Sequence, residues 1–460
     1  MADTPRILSV TESLCPRCLS KIPARRVARG DEVFLEKDCP EHGGFQVPIW
    51  RGQPLFQSWV RPKIPGVIKS ALTGVRQGCP FDCGLCPDHR QQTCTAVLEV
   101  TGRCNLHCAF CFADSGDAAG DPGRETVKSW YRLLLDVGGP YNIQLSGGEP
   151  TLRDDLPELV SMGRAMGFDF IQLNTNGLRL SREPGFLEKL KQAGLSSIFL
   201  QFDGAGREIH RKLRGGDFLA AKLETIRLCG ELGLGVILVP TVVPGVNDHN
   251  LGSIIDLALE RMPVVRGVHF QPVSYFGRYP QPPSDRMRIT LPEIISRLEY
   301  QTAGRIKAEH FRPPGCENAL CSFHGNFILM PDGRLTATTR HEPARQEMSC
   351  CDAPERAGDG ARKTRSFVAS RWSAPQPILK QRQCNCAEPK AQPDSMDLFL
   401  ERAQTHTFCI SGMAFQDVWN IDLDRLKDCC IHTVSPAGRL VPFCAYNITD
   451  NRGGSIYRGR

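Results

Sequence analysis

No stretch of the 460-residue chain approaches the roughly 18 consecutive apolar residues that a membrane-spanning helix requires. The segment Met1 to Val10 lacks the apolar core of a secretory signal. A dominant charge is also missing: 56 basic against 50 acidic side chains leave a formal +6, without the basic run or face that binds nucleic acid. These absences point to a cytoplasmic protein with no membrane span and no nucleic-acid partner, and leave only peripheral membrane contact open. The apolar and charged fractions, 41% and 23%, are those of a soluble globular protein, and the length allows about two to four domains. What the chain has in abundance is cysteine, 21 in all. In a reducing compartment so many thiols read as metal ligands and redox groups rather than disulfides.

The central group is Cys104-Asn105-Leu106-His107-Cys108-Ala109-Phe110-Cys111, which follows the apolar run Val97-Leu98-Glu99-Val100. Three thiols on one such loop can turn onto a single iron–sulfur cluster, but a four-iron cluster normally takes four thiolates. One iron therefore keeps an open position, the property that separates a reactive metal site from a structural one. A zinc knuckle or disulfide loop is the competing reading of the spacing alone.

Cysteines recur on both sides of this loop. Cys15-Pro16-Arg17-Cys18 and Cys39-Pro40-Glu41-His42 offer two ligand pairs on two turns, a closed tetrahedral knuckle for zinc or a single iron. Here Cys15, Cys18 and Cys39 are the firm ligands, and His42 is either the fourth or a turn residue beside Gly43-Gly44. Next, Cys79, Cys83, Cys86 and Cys94 form a four-thiol set able to close a cluster by itself, with a zinc site as the alternative. Near the carboxy terminus, Cys429-Cys430 and Cys444 flank a hairpin turn at Pro436-Ala437-Gly438 that would bring the cysteine pair and Cys444 together, and Cys321 or Cys409 would complete a second four-thiolate site there. The bland alternative is that these are buried thiols filling core positions. Residues 341–400, rich in Pro, Arg, Gln and Ser, read as a mobile insert. That insert holds Cys350, Cys351, Cys384 and Cys386, either a dithiol relay or without a role.

Between these groups the pattern changes. Short apolar runs at 96–100, 141–145, 168–173, 197–202, 235–243 and 267–273 alternate with helical periodicity, as in Glu125 to Val137, where Val127, Trp130, Leu134 and Val137 share a face. Six such units predict an α/β fold with a parallel sheet closed or nearly closed into a barrel, with the site on the loops after the strands. Those loops carry Ser146-Gly147-Gly148-Glu149-Pro150, Asn174-Thr175-Asn176-Gly177 and Gln201-Phe202-Asp203-Gly204, followed by Arg214 and by Val239 to Asp248. Each alone is an ordinary turn; in this order on one face they form a site.

The cysteine loop, with its aromatic Phe110 just before the third thiol, and the Gly147-Gly148-Glu149 turn resemble the signatures of the radical S-adenosylmethionine (SAM) superfamily. That resemblance implies a partial (β/α)6 barrel with Cys104, Cys108 and Cys111 as the catalytic cluster ligands and SAM at the open iron. It also implies SAM contacts from Phe110, Gly147, Gly148, Glu149, Asn174, Asn176, Asp203 and Arg214, with Glu149 toward the amino group and Arg214 toward the carboxylate or an anionic substrate. The whole plan is similar to the family of archaeal tetraether lipid synthases and proteins named as pterin dimethyltransferases. It implies reductive cleavage of SAM, attack on an unactivated C–H bond, one or two auxiliary clusters and a ferredoxin or flavodoxin reductant. The product is carbon–carbon coupling or methylation of a lipid or small molecule; a non-enzymatic Cys-rich zinc module is the alternative. The expected domains are a rubredoxin- or zinc-ribbon-like knuckle at 1–70, a four-cysteine segment at 71–95, the barrel at 96–275, and an auxiliary-cluster domain at 276–460.

Overall fold

A computed structural model describes residues 4–61, 63–116, 120–341, 356–375 and 395–458. The chain begins with a four-stranded antiparallel ribbon, β1 (Arg6–Leu14), β2 (Lys21–Arg29), β3 (Glu32–Cys39) and β4 (Gly43–Arg51), paired in sequence order. Alternation along these strands buries Val33 and Leu35. The ribbon is clamped to the carboxy-terminal segment by Lys37, whose buried Nζ donates to Leu14 O (2.7 Å) and Val418 O (2.8 Å), and by Arg26, whose Nε donates to Asp422 Oδ2 (2.8 Å).

The expected strand–helix series is present. It comprises β5 (Thr95–Thr101), β6 (Asn142–Gly147), β7 (Ile171–Thr175), β8 (Ser197–Gln201), β9 (Gly235–Val239), the short β10 (Thr241–Val242) and β11 (Val265–Pro272). Near-continuous apolar strands such as β9, buried at every position, fit a parallel sheet covered on both faces. The helix Arg124–Asp136 buries Val127, Trp130, Tyr131 and Leu134, the three- and four-residue spacing expected of its inner face.

The carboxy-terminal part departs from the expected separate domain. Its strands β12 (Ser322–Leu329), β13 (Leu335–Ala337), β14 (Thr407–Met413), β15 (Ile431–Val434) and β16 (Leu440–Pro442) join the barrel sheet, in the order β13-β12-β14-β11-β9-β8-β7-β6-β5-β15-β16. β14 adds in parallel beside β11 and β15 in parallel beside β5, so both edges of the six-stranded core are extended by later chain. Edge strands present unpaired N–H and C=O groups that need a partner, and here the partners come from far along the sequence. Gly267 permits the β11–β14 approach: a Cβ there would lie 2.2 Å from Cys409 O.

Part of the stretch expected to be a mobile insert is a helix, Ala357–Trp372. Polar composition pointed the other way, but this helix packs through small residues, Ala357, Gly360 and Ala361, which composition does not flag. It lies across the amino-terminal ends of the barrel strands. Arg365 Nη1 donates to Thr93 O (3.1 Å), Asn142 Nδ2 to Arg365 O (3.2 Å) and Arg266 Nε to Arg371 O (3.2 Å). The four cysteines at 350, 351, 384 and 386 lie outside the described residues.

Replacing Gly267 with Val should force β14 off β11. Overpacking of this kind costs about 1–3 kcal/mol or more, so thermal unfolding should shift down measurably, whereas Gly185→Ala, with open space around its Cβ and no positive φ, should shift it far less.

Candidate functional site

The loop after β5 carrying Cys104, Cys108 and Cys111 is fixed by its neighbours rather than by its own structure. Glu149 N donates to Arg103 O (2.8 Å), Ala109 N to Leu213 O (3.2 Å), and Cys111 exchanges backbone hydrogen bonds with Arg278 (2.9 and 3.0 Å). Arg278 Nε reaches Cys108 O (3.0 Å), and Asn176 Nδ2 reaches Asn105 Oδ1 (2.8 Å). A Cβ on Gly148 would sit 2.0 Å from Arg103 O, so only glycine lets the β6 loop approach the thiol loop this closely. All three thiols line one cavity of about 500 Å³ that runs through the barrel. The Cys104 thiol is pushed up to about 11, first by burial and then by the charges of Glu149, Cys108 and Cys111. A thiol so disfavoured as a bare thiolate is one that a cation would deprotonate.

The loop residues expected to hold SAM lie together around this cavity, in two kinds of environment. Asn174 Oδ1 is buried with no hydrogen-bond partner among the described residues, an acceptor left for a ligand. Glu149 is 1% exposed and already accepts from Thr151 N (3.1 Å), Thr151 Oγ1 (2.6 Å), Thr175 Oγ1 (2.7 Å) and Asn176 N (2.7 Å). Three of these bonds fall on Oε1 and one on Oε2, so any SAM ammonium would meet Oε2 of a carboxylate that also ties the β6 and β7 loops together.

Arg214 is placed differently from the expected carboxylate clamp. Its fork grips Asp203 through two 2.7 Å bonds, and the pair is 7% and 0% exposed. Burial opposes both charges, but their attraction outweighs it and holds Asp203 below and Arg214 above their ordinary ranges. Arg214 also donates to Thr241 Oγ1 (3.1 Å) and Phe110 O (3.4 Å), bracing the thiol loop against the loops after β8 and β9. Phe110 itself lines the cavity and meets Tyr275 edge-on, with centroids 6.1 Å apart.

Sequence reasoning missed Arg278 and Lys222. Lys222 is fully buried and donates to Asn176 O (3.0 Å) and Gln201 O (2.7 Å), and burial lowers its ammonium to about 8. Neither residue sits in a recognisable motif, so only the fold reveals them.

The remaining thiols group otherwise than their spacing implied. Cys15, Cys18, Cys39 and His42 do converge, with all ligand atoms within 4.8 Å of one another; His42 Nδ1 is 3.6 Å from Cys15 Sγ and 3.5 Å from Cys39 Sγ. That donor set suits a tetrahedral ion. Cys94, however, leaves the set of Cys79, Cys83 and Cys86 and joins Cys316 and Cys430, again within 4.8 Å. It stands at the start of β5, next to β15, where Cys94 N donates to Cys430 O (2.8 Å), and this strand pairing carries it away from its sequence neighbours. Cys430 Sγ also lies 3.6 Å from Glu317 Oε2, at the edge of this buried group.

The site expected from Cys429, Cys430 and Cys444 with Cys321 or Cys409 is therefore divided. Cys321 and Cys444 instead share their surroundings with Cys429 and with the buried Arg425, whose Nε donates to Cys321 Sγ (3.0 Å). Cys409 faces the cavity from β14, apart from both groups. The 17 described cysteines are all free thiols.

A barrel with a three-thiol loop at its strand ends defines a radical SAM enzyme, and the comparisons with known proteins agree. Residues 98–258 match the family described as the radical SAM superfamily, and residues 7–51 match the HMPTM N-terminal zinc ribbon domain. The chain is 36% identical to the 7,8-dihydro-6-hydroxymethylpterin dimethyltransferase of Methanocaldococcus jannaschii, over 95% of this chain and 93% of that one. It is 38% identical to the Fe-coproporphyrin III synthase of Methanosarcina barkeri over 40% of this chain and 44% of the other. A GTP 3',8-cyclase of Alkaliphilus oremlandii is 28% identical over 47% of this chain and 69% of its own. The chain belongs to the radical SAM family of the pterin dimethyltransferase. Its cofactors are accordingly SAM and four-iron clusters, with further metal in the cysteine groups.

Two predictions follow from the geometry. Glu149→Ala should weaken SAM binding at least about tenfold and also lower the melting temperature, because the same carboxylate holds four donors; isothermal titration with SAM and thermal melts check both. Cys94→Ala and Cys316→Ala should remove the same metal, read by elemental analysis, while Cys86→Ala removes a different one.

Proposed function

We propose that the enzyme methylates a ring carbon of a reduced, flat nitrogen heterocycle of the pterin class. The observation that carries this reading is the near-full-length likeness to a protein named as a pterin dimethyltransferase, zinc ribbon included. The size of the cavity supports it. At about 500 Å³, with the helix Ala357–Trp372 across its lower end, the cavity has the volume of a small-molecule site.

The cluster and SAM supply a 5′-deoxyadenosyl radical able to take hydrogen from an unactivated C–H bond. The chain does the holding. Cys104, Cys108 and Cys111 would hold a four-iron cluster through three thiolates, leaving it an open position for SAM. Asn174 Oδ1 and Glu149 Oε2 face the polar groups of SAM, while Gly147 and Gly148 let the backbone close on the thiol loop. Asp203 and Arg214 keep that loop in register with the substrate chamber. Cys79, Cys83 and Cys86, the Cys94–Cys316–Cys430 group and the Cys321–Cys429–Cys444 group serve as auxiliary centres that pass electrons, and the Cys15–His42 knuckle holds zinc. A ferredoxin- or flavodoxin-type reductant in the cytoplasm supplies the electron. Among the described residues no helix is long and apolar enough to cross a membrane.

Anaerobically reconstituted protein given SAM in excess, dithionite, 7,8-dihydro-6-hydroxymethylpterin and a one-carbon donor of the reduced-folate class, so that the added carbon comes either from that donor or from a second SAM leaving as S-adenosylhomocysteine, should yield 5′-deoxyadenosine and a pterin heavier by one or two methyl groups in mass spectrometry. Changing Cys104, Cys108 and Cys111 together to Ala should remove about four irons and both products. A wild-type enzyme that cleaves SAM but leaves the pterin unmodified would overturn the substrate assignment.

A further inference from the structure

Below the thiol loop the barrel lumen is neither plainly apolar nor plainly charged. Across three neighbouring strands, His269 of β11, Ser411 of β14 and His324 of β12 fall in one register. His269 Nδ1 and Ser411 Oγ are 2.9 Å apart. Burial lowers the His269 imidazolium to about 4, which leaves a neutral ring, and Nε2 makes no hydrogen bond among the described residues. The ring of His324 and the amide of Gln271 likewise have no side-chain partner among the described residues, and all three side chains line the cavity.

The wall beside them is aromatic. Trp372, from the helix that crosses the lower end of the barrel, stacks on Phe199 with centroids 5.6 Å apart and planes 23° apart, and meets His269 at 6.0 Å and 60°.

A hydrocarbon chain filling this chamber would strip water from His324, Gln271 and His269 Nε2 without giving any of them a partner, the costliest way to treat a polar group. A flat ring with donors and acceptors along one edge meets both demands, its face on the indole and its edge on the imidazoles and amide. We infer that His324, Gln271 and His269 Nε2 read the nitrogen-bearing edge of the substrate ring while Trp372 stacks on its face. The helix Ala357–Trp372 then sets the depth at which the reacting carbon stands below SAM. This inference rests on the methyl-transfer reading above and assigns the residues that give that site its preference for a heterocycle over an alkyl chain.

The test is equilibrium binding of 7,8-dihydro-6-hydroxymethylpterin to the anaerobically reconstituted full chain with SAM present. His324→Leu should weaken pterin binding about tenfold or more, and His324→Gln, which keeps a hydrogen-bonding group, should recover most of the loss. Trp372→Leu should weaken binding and Trp372→Phe should largely retain it. Iron content, circular dichroism and the SAM dissociation constant should match wild type in both His324 variants. Wild-type pterin affinity in His324→Leu and Trp372→Leu together would overturn the inference while leaving the methyl-transfer reading intact. A wild-type protein that binds no pterin would overturn both.

Discussion

The fold depends on holding a short, irregular loop open. A three-thiol loop has no internal hydrogen-bond ladder to keep its shape, and four anionic sulfurs would be easier to satisfy than three. Here the constraint is met from outside: the loop is bonded to the strand ends after β6, β7, β8 and β11 through Arg103 O, Asn105, Ala109 N and Cys111. The buried Asp203–Arg214 pair adds a further brace, with Arg214 Nη1 donating to Phe110 O of the loop. A buried ion pair is a poor source of net stability, because desolvation cancels much of its attraction. Its value lies in geometry, since breaking it would leave an unpaired charge beside the cluster.

Around that centre the cysteines are sorted by the sheet rather than by sequence distance. β15 adds beside β5 and brings Cys430 to Cys94, and the following turn returns Cys444 toward Cys321. Arg425 lies buried among these thiols with its Nε on Cys321 Sγ. A cation without water needs a negative partner, and Arg425 has the thiols of Cys321 and Cys444 and the carboxylate of Asp422 to provide one. The ribbon, through Lys37 and Arg26, grips residues 418–422 immediately ahead of this cluster of thiols.

Much of this was readable in advance, for identifiable reasons. The six strands and their helices announced themselves because parallel strands are apolar throughout and their helices keep a strict three-and-four spacing, as Val127, Trp130 and Leu134 do. The thiol loop and the knuckle were legible because their ligands are local, a few residues apart on single turns. What stayed hidden was long-range. Nothing near Cys94 points to Cys316, some 220 residues on, and nothing near Thr407–Met413 says that it will lie beside β11. The helix Ala357–Trp372 was mistaken for an insert because it packs with alanine and glycine and spends its large residues on the cavity. Arg214 misled for the opposite reason: a cation after a barrel strand suggests a ligand clamp, and only the structure shows its fork taken by Asp203.

Cys429 and Cys430 are adjacent residues, yet one belongs with Cys321 and Cys444 and the other with Cys94 and Cys316. Successive side chains on an extended backbone point to opposite sides, so a single peptide unit forms the partition between two thiol chambers. Whatever occupies one chamber fixes the position of that partition for the other. The two thiol groups therefore cannot be adjusted independently, because a displacement of one carries along a backbone unit that the other also uses.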